Sequence, residues 1–176
     1  MENSLFETER LIIRKLILDD VEFLFKYSQE EITKKELPDE VFESTIEIKE
    51  AFEYFMSNYD TKYPLVYGIV LKTKNIVVGH ISLSTIDKGI EIGYSIATDY
   101  QNKGYATEVI NPFVKWAKGE LHIERVYGIV KKENISSWKV LEKNGFSLEG
   151  EGIYKNYFNG NHFVKIYVNS SVSKIS

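Results

Sequence analysis

The chain has 176 residues, of which 43% are hydrophobic and 27% charged, proportions that are typical of a globular domain and exclude a disordered or collagen-like chain. It contains no cysteine, which excludes disulfides, thiolate metal sites and a cysteine nucleophile. The net charge of −4 argues against a nucleic-acid partner, and the lack of a long apolar run or a signal peptide argues against a membrane partner and predicts a cytoplasmic protein.

The first third of the chain predicts one strand followed by two helices. The apolar, β-branched run at Arg10–Leu18 is typical of a strand. Asp19 followed three residues later by Glu22 has the form of a capping box, and Ser44 with Glu47 repeats that form. Because apolar residues recur at helical spacing after each pair, we expect a helix to begin at both places.

From Leu65 the pattern changes to short apolar runs separated by turn residues. Three antiparallel strands are predicted at 65–71, 76–86 and 89–97, with turns at 72–75 and 87–89.

The C-terminal half continues with alternating helices and strands. Residues 104–118 have helical periodicity, but Pro112 removes a backbone donor, so we expect a kink near Glu108 or an early end. A further helix over 134–144 should end at Gly145, which is suited to a left-handed cap. Strands are predicted at 125–130, 146–154 and 157–168, the last two joined by a turn at 155–156 or 159–160. These elements indicate one mixed sheet flanked by helices.

The segment Glu91–Glu108 predicts a strand that passes through a short loop directly into a helix. Gly104 and Ala106 carry little or no side chain, so a ligand can approach the backbone closely. The first N–H groups of a helix have no partner within the helix and attract an anion such as the diphosphate of a nucleotide cofactor. A tight connection with no ligand is the alternative for a lone glycine at such a turn.

Two motifs resemble those of the GNAT superfamily of acetyltransferases. Residues 101–106, which read Gln-Asn-Lys-Gly-Tyr-Ala, resemble its Gln/Arg-x-x-Gly-x-Gly/Ala signature. Residues 134–146 resemble its Asn-x-x-Ser-x-x-Val-Leu-Glu-Lys-x-Gly-Phe motif. The opening at 7–16, Glu-Thr-Glu-Arg-Leu-Ile-Ile-Arg-Lys-Leu, resembles the branch that contains the ribosomal-protein N-terminal alanine acetyltransferases.

This resemblance implies the α/β (α+β) GNAT fold in a single domain over 1–168: a mixed, mostly antiparallel sheet of roughly seven strands with about four helices. The polar residues 169–176 predict a flexible tail. The implied cosubstrate is acetyl-CoA, and no metal is implied.

The resemblance also implies how the cosubstrate binds. Backbone amides of the loop would hold the diphosphate, and the strand before the loop would separate from the next strand to admit the pantetheine arm. Ile96 or Ala97 would offer a backbone N–H to the thioester carbonyl, and Asn134 would contact the arm, with helix capping as the alternative for Asn134. The implied cofactor-binding residues are Ile96, Ala97, Gln101, Asn102, Lys103, Gly104, Tyr105, Ala106, Thr107 and Asn134.

Glu91 is the candidate general base. An alkyl ammonium titrates near pH 10, so very little of the amine is neutral and nucleophilic at pH 7. Deprotonating the ammonium at pH 7 costs about 4 kcal/mol, which a base or a desolvating site must offset. Strand alternation places Glu91 on the face opposite Ile90 and Ile92. Several GNAT enzymes use a glutamate here to order a water or accept the amine proton; a solvated strand carboxylate is the alternative.

Ser137 is the candidate donor to the departing thiolate. Many GNAT enzymes place a tyrosine seven residues after the motif asparagine, but Leu141 stands there in this chain. The alanine-acetyltransferase branch implies that Ser137 donates toward the sulfur instead. A capping hydroxyl in the first turn of its helix is the alternative.

The favoured acceptor is the N-terminal amine of a protein or peptide, on branch resemblance alone. A polyamine or an aminoglycoside is the alternative, and the acidic stretch 30–43 would suit a cationic acceptor if it borders the site. A non-catalytic acyl-CoA-binding module and an interaction domain without cofactor are two other interpretations. A homodimer is left open, and three scattered histidines predict no metal site.

Overall fold

In the computed structural model, the described residues are 4–37, 41–60, 63–154 and 160–170. The chain divides into two compact units, the first formed by Met1–Leu83 with Tyr94–Tyr105 and the second by Ser84–Gly93 with Ala106–Ser176. Among the helices of the described part of the chain, none is long and apolar enough to span a membrane.

In the described part of the chain, eight strands form one sheet. They are β1 (Ser4–Glu7), β2 (Leu11–Lys15), β3 (Leu65–Leu71), β4 (Ile76–Ile86), β5 (Gly89–Ile96), β6 (Arg125–Lys131), β7 (Ser147–Tyr154) and β8 (His162–Ser170). Their order in the sheet is β1-β2-β3-β4-β5-β6-β8-β7. β5 and β6 pair in parallel, whereas β2 and β3, like β6 and β8, pair antiparallel. The predicted α/β class is therefore confirmed, with one strand more than expected: β1 has only four residues, too few for a periodic pattern to be recognised.

The described residues also form five α-helices, one more than expected. They are α1 (Val21–Ser28), α2 (Glu31–Glu36), α3 (Thr45–Asn58), α4 (Tyr105–Glu120) and α5 (Ile135–Lys143). The sequence prediction missed α2 because its six residues do not complete two helical turns. The predicted cap of α3 is confirmed, since Ser44 Oγ accepts a hydrogen bond from the Glu47 N–H at 3.3 Å.

The predicted capping box at Asp19 is wrong. Asp19 lies within a 3₁₀ turn, and α1 is preceded by Asp20, whose side chain does not cap it. Asp20 is 6% exposed and instead accepts two hydrogen bonds from Arg14, at 2.7 and 2.9 Å, and one from the Ile17 N–H at 2.8 Å. These charge-assisted bonds of Asp20 are of the strong kind, and they fix the chain in a 3₁₀ turn at Leu18–Asp20, so that Asp19 lies inside the turn and not at the start of a helix.

Helix α4 runs without interruption through Pro112 to Glu120, so the expected early end is wrong. Its buried residues are Val109, Ile110, Phe113, Val114 and Ala117. Burying each large apolar side chain contributes about 1.5–3 kcal/mol, and together these outweigh the roughly 3 kcal/mol that an interior proline costs.

The end of the chain also departs from the prediction. Asn169 and Ser170, expected in the tail, belong to β8 and pair with Val126 and Arg125. Residues 171–176 lie outside the described residues, as do 155–159, where the turn between the last two strands was predicted.

Each unit has its own apolar core. In the first unit, helices α1 and α3 pack against each other and against Leu16, the residue after β2, in a cluster of Leu16, Val21, Ile48 and Phe52. In the second unit, β6 and β8 contribute a cluster of Tyr127, Ile129, Val164 and Ile166.

Candidate functional site

Residues 98–104, which we call the 98–104 loop, connect β5 to α4. The loop begins with a 3₁₀ turn at Thr98–Tyr100 and ends where α4 starts at Tyr105. Asn102 and Gly104 have positive φ angles, 58° and 81°, which Asn and Gly adopt most readily. Such a backbone turns successive N–H groups toward one side and suits an anion. Residues 101–105, which were predicted to bind the cofactor, all lie in the first unit.

Side-chain and backbone bonds tie this loop to the end of β5. Gln101 Nε2 donates to the Ile96 carbonyl at 2.8 Å. The Ala97 N–H donates to the Val78 carbonyl at 2.9 Å, so of the two residues predicted to offer an N–H to the thioester, Ala97 already uses its N–H within the sheet. Lys103 Nζ donates to the Asp99 carbonyl at 2.8 Å, which bends its side chain back over the loop.

Two residues outside the predicted motif also contact the loop. The Arg10 guanidinium donates to the Lys103 carbonyl at 2.9 Å, and a carboxylate oxygen of Glu30 accepts from Thr98. Neither was predicted as a site residue, because they lie 93 and 68 positions away along the chain from the loop residues that they contact. Arg10 falls within the opening that resembles the alanine-acetyltransferase branch, and Glu30 begins the acidic stretch 30–43.

The remaining predicted residues lie in the second unit. Ala106 and Thr107 form the first turn of α4 and are half-buried. Glu91 lies on β5, in parallel register with Tyr127 of β6. It is 8% exposed, so the alternative of a solvated strand carboxylate does not hold. β5 and β6 pair at Ile90–Val126 and Glu91–Tyr127, near the starts of both strands.

Asn134 caps helix α5. Its Oδ1 accepts from the Ser137 N–H at 3.1 Å and from Ser136 Oγ at 3.0 Å. Asn134 therefore has the predicted capping role, and the two hydrogen bonds engage its amide oxygen. A contact with a cofactor would have to use the amide Nδ2. Ser137 is half-buried in the first turn of α5, and its N–H donates to the cap.

Packing on β6 and β8 fixes the position of α5. Leu141 is fully buried and approaches Gly128 so closely that a Cβ there would lie 2.7 Å from Leu141 Cδ1. The Leu141 side chain therefore fills the space over Gly128 in the packed interior. The Tyr167 hydroxyl donates to Glu142 Oε1 at 2.9 Å, and burial followed by this bond raises the pKa of Tyr167 to about 12.

Other conspicuous side chains contact neighbouring aromatic rings. His80 is buried and meets the Tyr27 ring edge-on, with ring centroids 5.9 Å apart. Trp116 stacks on Phe113, and Lys165 Nζ lies 4.1 Å from the centroid of the Trp138 ring. Over the residues that the structure describes, no group of three or more His, Asp or Glu side chains could hold a metal ion.

Comparison with known proteins identifies the family of the chain. A family model described as an acetyltransferase (GNAT) domain matches residues 10–147. The uncharacterized N-acetyltransferase YnaD of Bacillus subtilis is 30% identical over 145 residues, covering 81% of this chain and 82% of YnaD. The spermidine N(1)-acetyltransferase of Escherichia coli is 29% identical over 82 residues, covering 47% of this chain and 44% of that enzyme.

Solved structures share the fold over nearly the whole chain. A GNAT-family acetyltransferase from Bacillus anthracis superimposes with a TM-score of 0.80 at 27% identity, covering 93% of this chain and 96% of that one. The ribosomal L7/L12 alpha-N-protein acetyltransferase RimL, in complex with coenzyme A, superimposes with a TM-score of 0.83 at 21% identity, covering 95% of this chain and 97% of that one.

Proposed function

This chain belongs to the GNAT family of acetyl-CoA-dependent N-acetyltransferases, and we propose that its acceptor is the N-terminal amine of a protein or peptide. When bound, acetyl-CoA supplies an acetyl group activated as a thioester. The observation that carries the use of acetyl-CoA is the 98–104 loop, which directly precedes a helix and has a backbone conformation that suits a diphosphate.

The residues of the loop fit this cosubstrate. Positive φ angles at Asn102 and Gly104 turn the peptide groups, and the missing side chain of Gly104 leaves room for a phosphate to approach the backbone. N–H groups of Tyr105, Ala106 and Thr107 begin α4, where a helix has donors without internal partners and the positive end of its dipole. We propose that these groups bind the diphosphate.

Glu91 is the proposed base. It takes the amine proton either directly or through a water, which leaves the nitrogen lone pair available for attack on the thioester carbonyl. Its burial keeps bulk water away from the carboxylate and strengthens its interaction with an ammonium. The proposed donor to the thioester oxygen is a backbone N–H at the end of β5, with Ile96 favoured since Ala97 is bonded to Val78.

Ser137 and Asn134 are the proposed contacts at the start of α5. The Ser137 hydroxyl would donate a hydrogen bond toward the sulfur as it gains negative charge, a role that requires a donor and not a strong acid. The Asn134 Nδ2 would donate to the pantetheine arm, because its Oδ1 is engaged in the cap.

The choice of acceptor rests on the resemblance of residues 7–16 to the alanine-acetyltransferase branch. An α-amine has a pKa near 7.7–8.0, so roughly one molecule in ten is neutral at pH 7, compared with about one in two thousand for a lysine-like amine. A polyamine is the second candidate, since the spermidine enzyme of E. coli is among the relatives.

A panel of acceptors tests the proposal. We expect coenzyme A release with peptides that carry a free N-terminal alanine or serine. With three other acceptors, namely spermidine, an aminoglycoside and N-acetylated peptides that contain lysine, kcat/KM should be at least about tenfold lower. Preference for spermidine would replace the proposed acceptor by the second candidate. Tight binding of coenzyme A without turnover on any amine would indicate a non-catalytic module.

A further inference from the structure

The two ends of the 98–104 loop are held by side chains from remote parts of the first unit. Glu30 contacts the first residue of the loop, and Arg10 contacts the carbonyl of Lys103 near its end. We propose that Glu30 and Arg10 are positioning residues, which hold the loop in the conformation that binds the diphosphate of coenzyme A. This inference rests on the proposed function of the loop.

Glu30 fixes the start of the loop. It immediately precedes α2, and its Oε2 accepts from the Thr98 N–H at 3.0 Å and from Thr98 Oγ1 at 2.6 Å. The Thr98 N–H is the first of the 3₁₀ turn and therefore has no acceptor within the turn. Thr98 is exposed, so burial does not fix this residue, and a single carboxylate oxygen satisfies both of its donors.

Arg10 fixes the direction of the peptide group between Lys103 and Gly104. Its Nη1 donates to the Lys103 carbonyl at 2.9 Å, and its guanidinium carbon lies 4.6 Å from the centroid of the Tyr105 ring. In a planar trans peptide the C=O and the following N–H point in opposite directions. Holding the Lys103 carbonyl toward Arg10 therefore aims the Gly104 N–H, a motif donor, away from Arg10.

These bonds matter for binding more than for folding. The hydrogen bonds lie at the surface, where exchange with water keeps the net contribution of each small. A loop that is already ordered in the free protein loses less conformational entropy when the ligand binds. Removing either side chain should therefore weaken affinity for coenzyme A and leave the stability of the fold nearly unchanged.

The test compares the variants Glu30→Ala and Arg10→Met with the full-length wild-type chain. We expect the KM for acetyl-CoA and the Kd for coenzyme A to rise about five- to tenfold in each variant, while kcat at saturation and the KM for the amine change less than twofold. Glu30→Gln keeps an oxygen acceptor and should restore wild-type values. Glu31→Ala is the matched control, because this neighbouring exposed carboxylate pairs with Lys34 at 3.0 Å and not with the loop.

Hydrogen exchange provides a readout that does not need the ligand. In both variants the amides of the loop should exchange at least severalfold faster than in the wild type, with unchanged exchange in β2 and β3. If Glu30→Ala and Arg10→Met bound coenzyme A with unchanged affinity and their loop amides exchanged at the wild-type rate, this inference would be overturned but the proposed function would not. A wild-type chain that binds no coenzyme A would overturn the proposed function, and with it this inference.

Discussion

The two units of the chain carry different kinds of proposed site residues. In the first unit, the 98–104 loop offers backbone N–H groups, and its conformation is fixed by positive φ angles and by hydrogen bonds that join it to Ile96, Arg10 and Glu30. In the second unit, Glu91 and Ser137 offer side chains, and the elements that carry them are held by buried packing. Substitutions in the loop should therefore affect cofactor binding, whereas those at Glu91 and Ser137 should affect catalysis and those in the buried packing should affect stability.

The largest effect expected from this comparison is on catalysis. Glu91→Gln removes the proposed base but keeps the shape of the side chain, so kcat should fall about 100-fold, in the range of general-base contributions. Because the loop is intact, the KM for acetyl-CoA should stay within twofold. Steady-state kinetics with a fixed peptide acceptor measures both quantities.

Glu120→Gln, at the exposed end of α4, is the control for the loss of one charge and should retain full activity. If Glu91→Gln kept wild-type kcat, the role of the base would have to pass to another group or to water alone.

The next largest effect is on stability, where α5 packs on β6. A methyl group at residue 128 would lie 2.7 Å from Leu141 Cδ1, and Leu141 is fully buried. Gly128→Ala should therefore destabilise the fold by about 1–3 kcal/mol, as overpacking of a core does. Urea denaturation followed by circular dichroism measures this difference.

Gly152→Ala is the matched control, because a Cβ at Gly152 has no neighbour within 4 Å and the residue also lies in a strand. Equal stability of the two variants would show that α5 can shift away from β6 at little cost.

The smallest effect is expected in the loop. Gly104 has a φ of 81°, a conformation that costs an L-residue roughly 1–2 kcal/mol. Gly104→Ala should relax the loop away from this conformation and raise the KM for acetyl-CoA by about tenfold without a change in kcat.

Gly119→Ala serves as the control near the end of α4, since a Cβ there has open space and alanine favours a helix. A fall in kcat in Gly104→Ala, with an unchanged KM, would contradict the assignment of the loop to cofactor binding.

Local patterns in the sequence predicted most of the elements. The strands at 65–71 and 76–86 and the turn between them lie where apolar runs and turn residues indicated. Ser44 caps α3 as predicted, and Gly145 takes the positive φ of a helix end, 78°. In each case the signal and the structure lie within a few neighbouring residues, so the backbone preference of those residues is sufficient.

Tertiary structure decided the features that depend on distant partners. Asp20 forms an ion pair with Arg14, and Asp19 does not form the predicted capping box. Buried packing stabilises α4 on both sides of Pro112, so the helix does not end there. Glu91 is buried although alternation alone allowed a solvated carboxylate. The contact of Glu30 with Thr98 joins residues 68 positions apart. Periodicity and propensity describe what a segment prefers by itself, whereas burial and long-range hydrogen bonds depend on which other segments the folded chain places beside it.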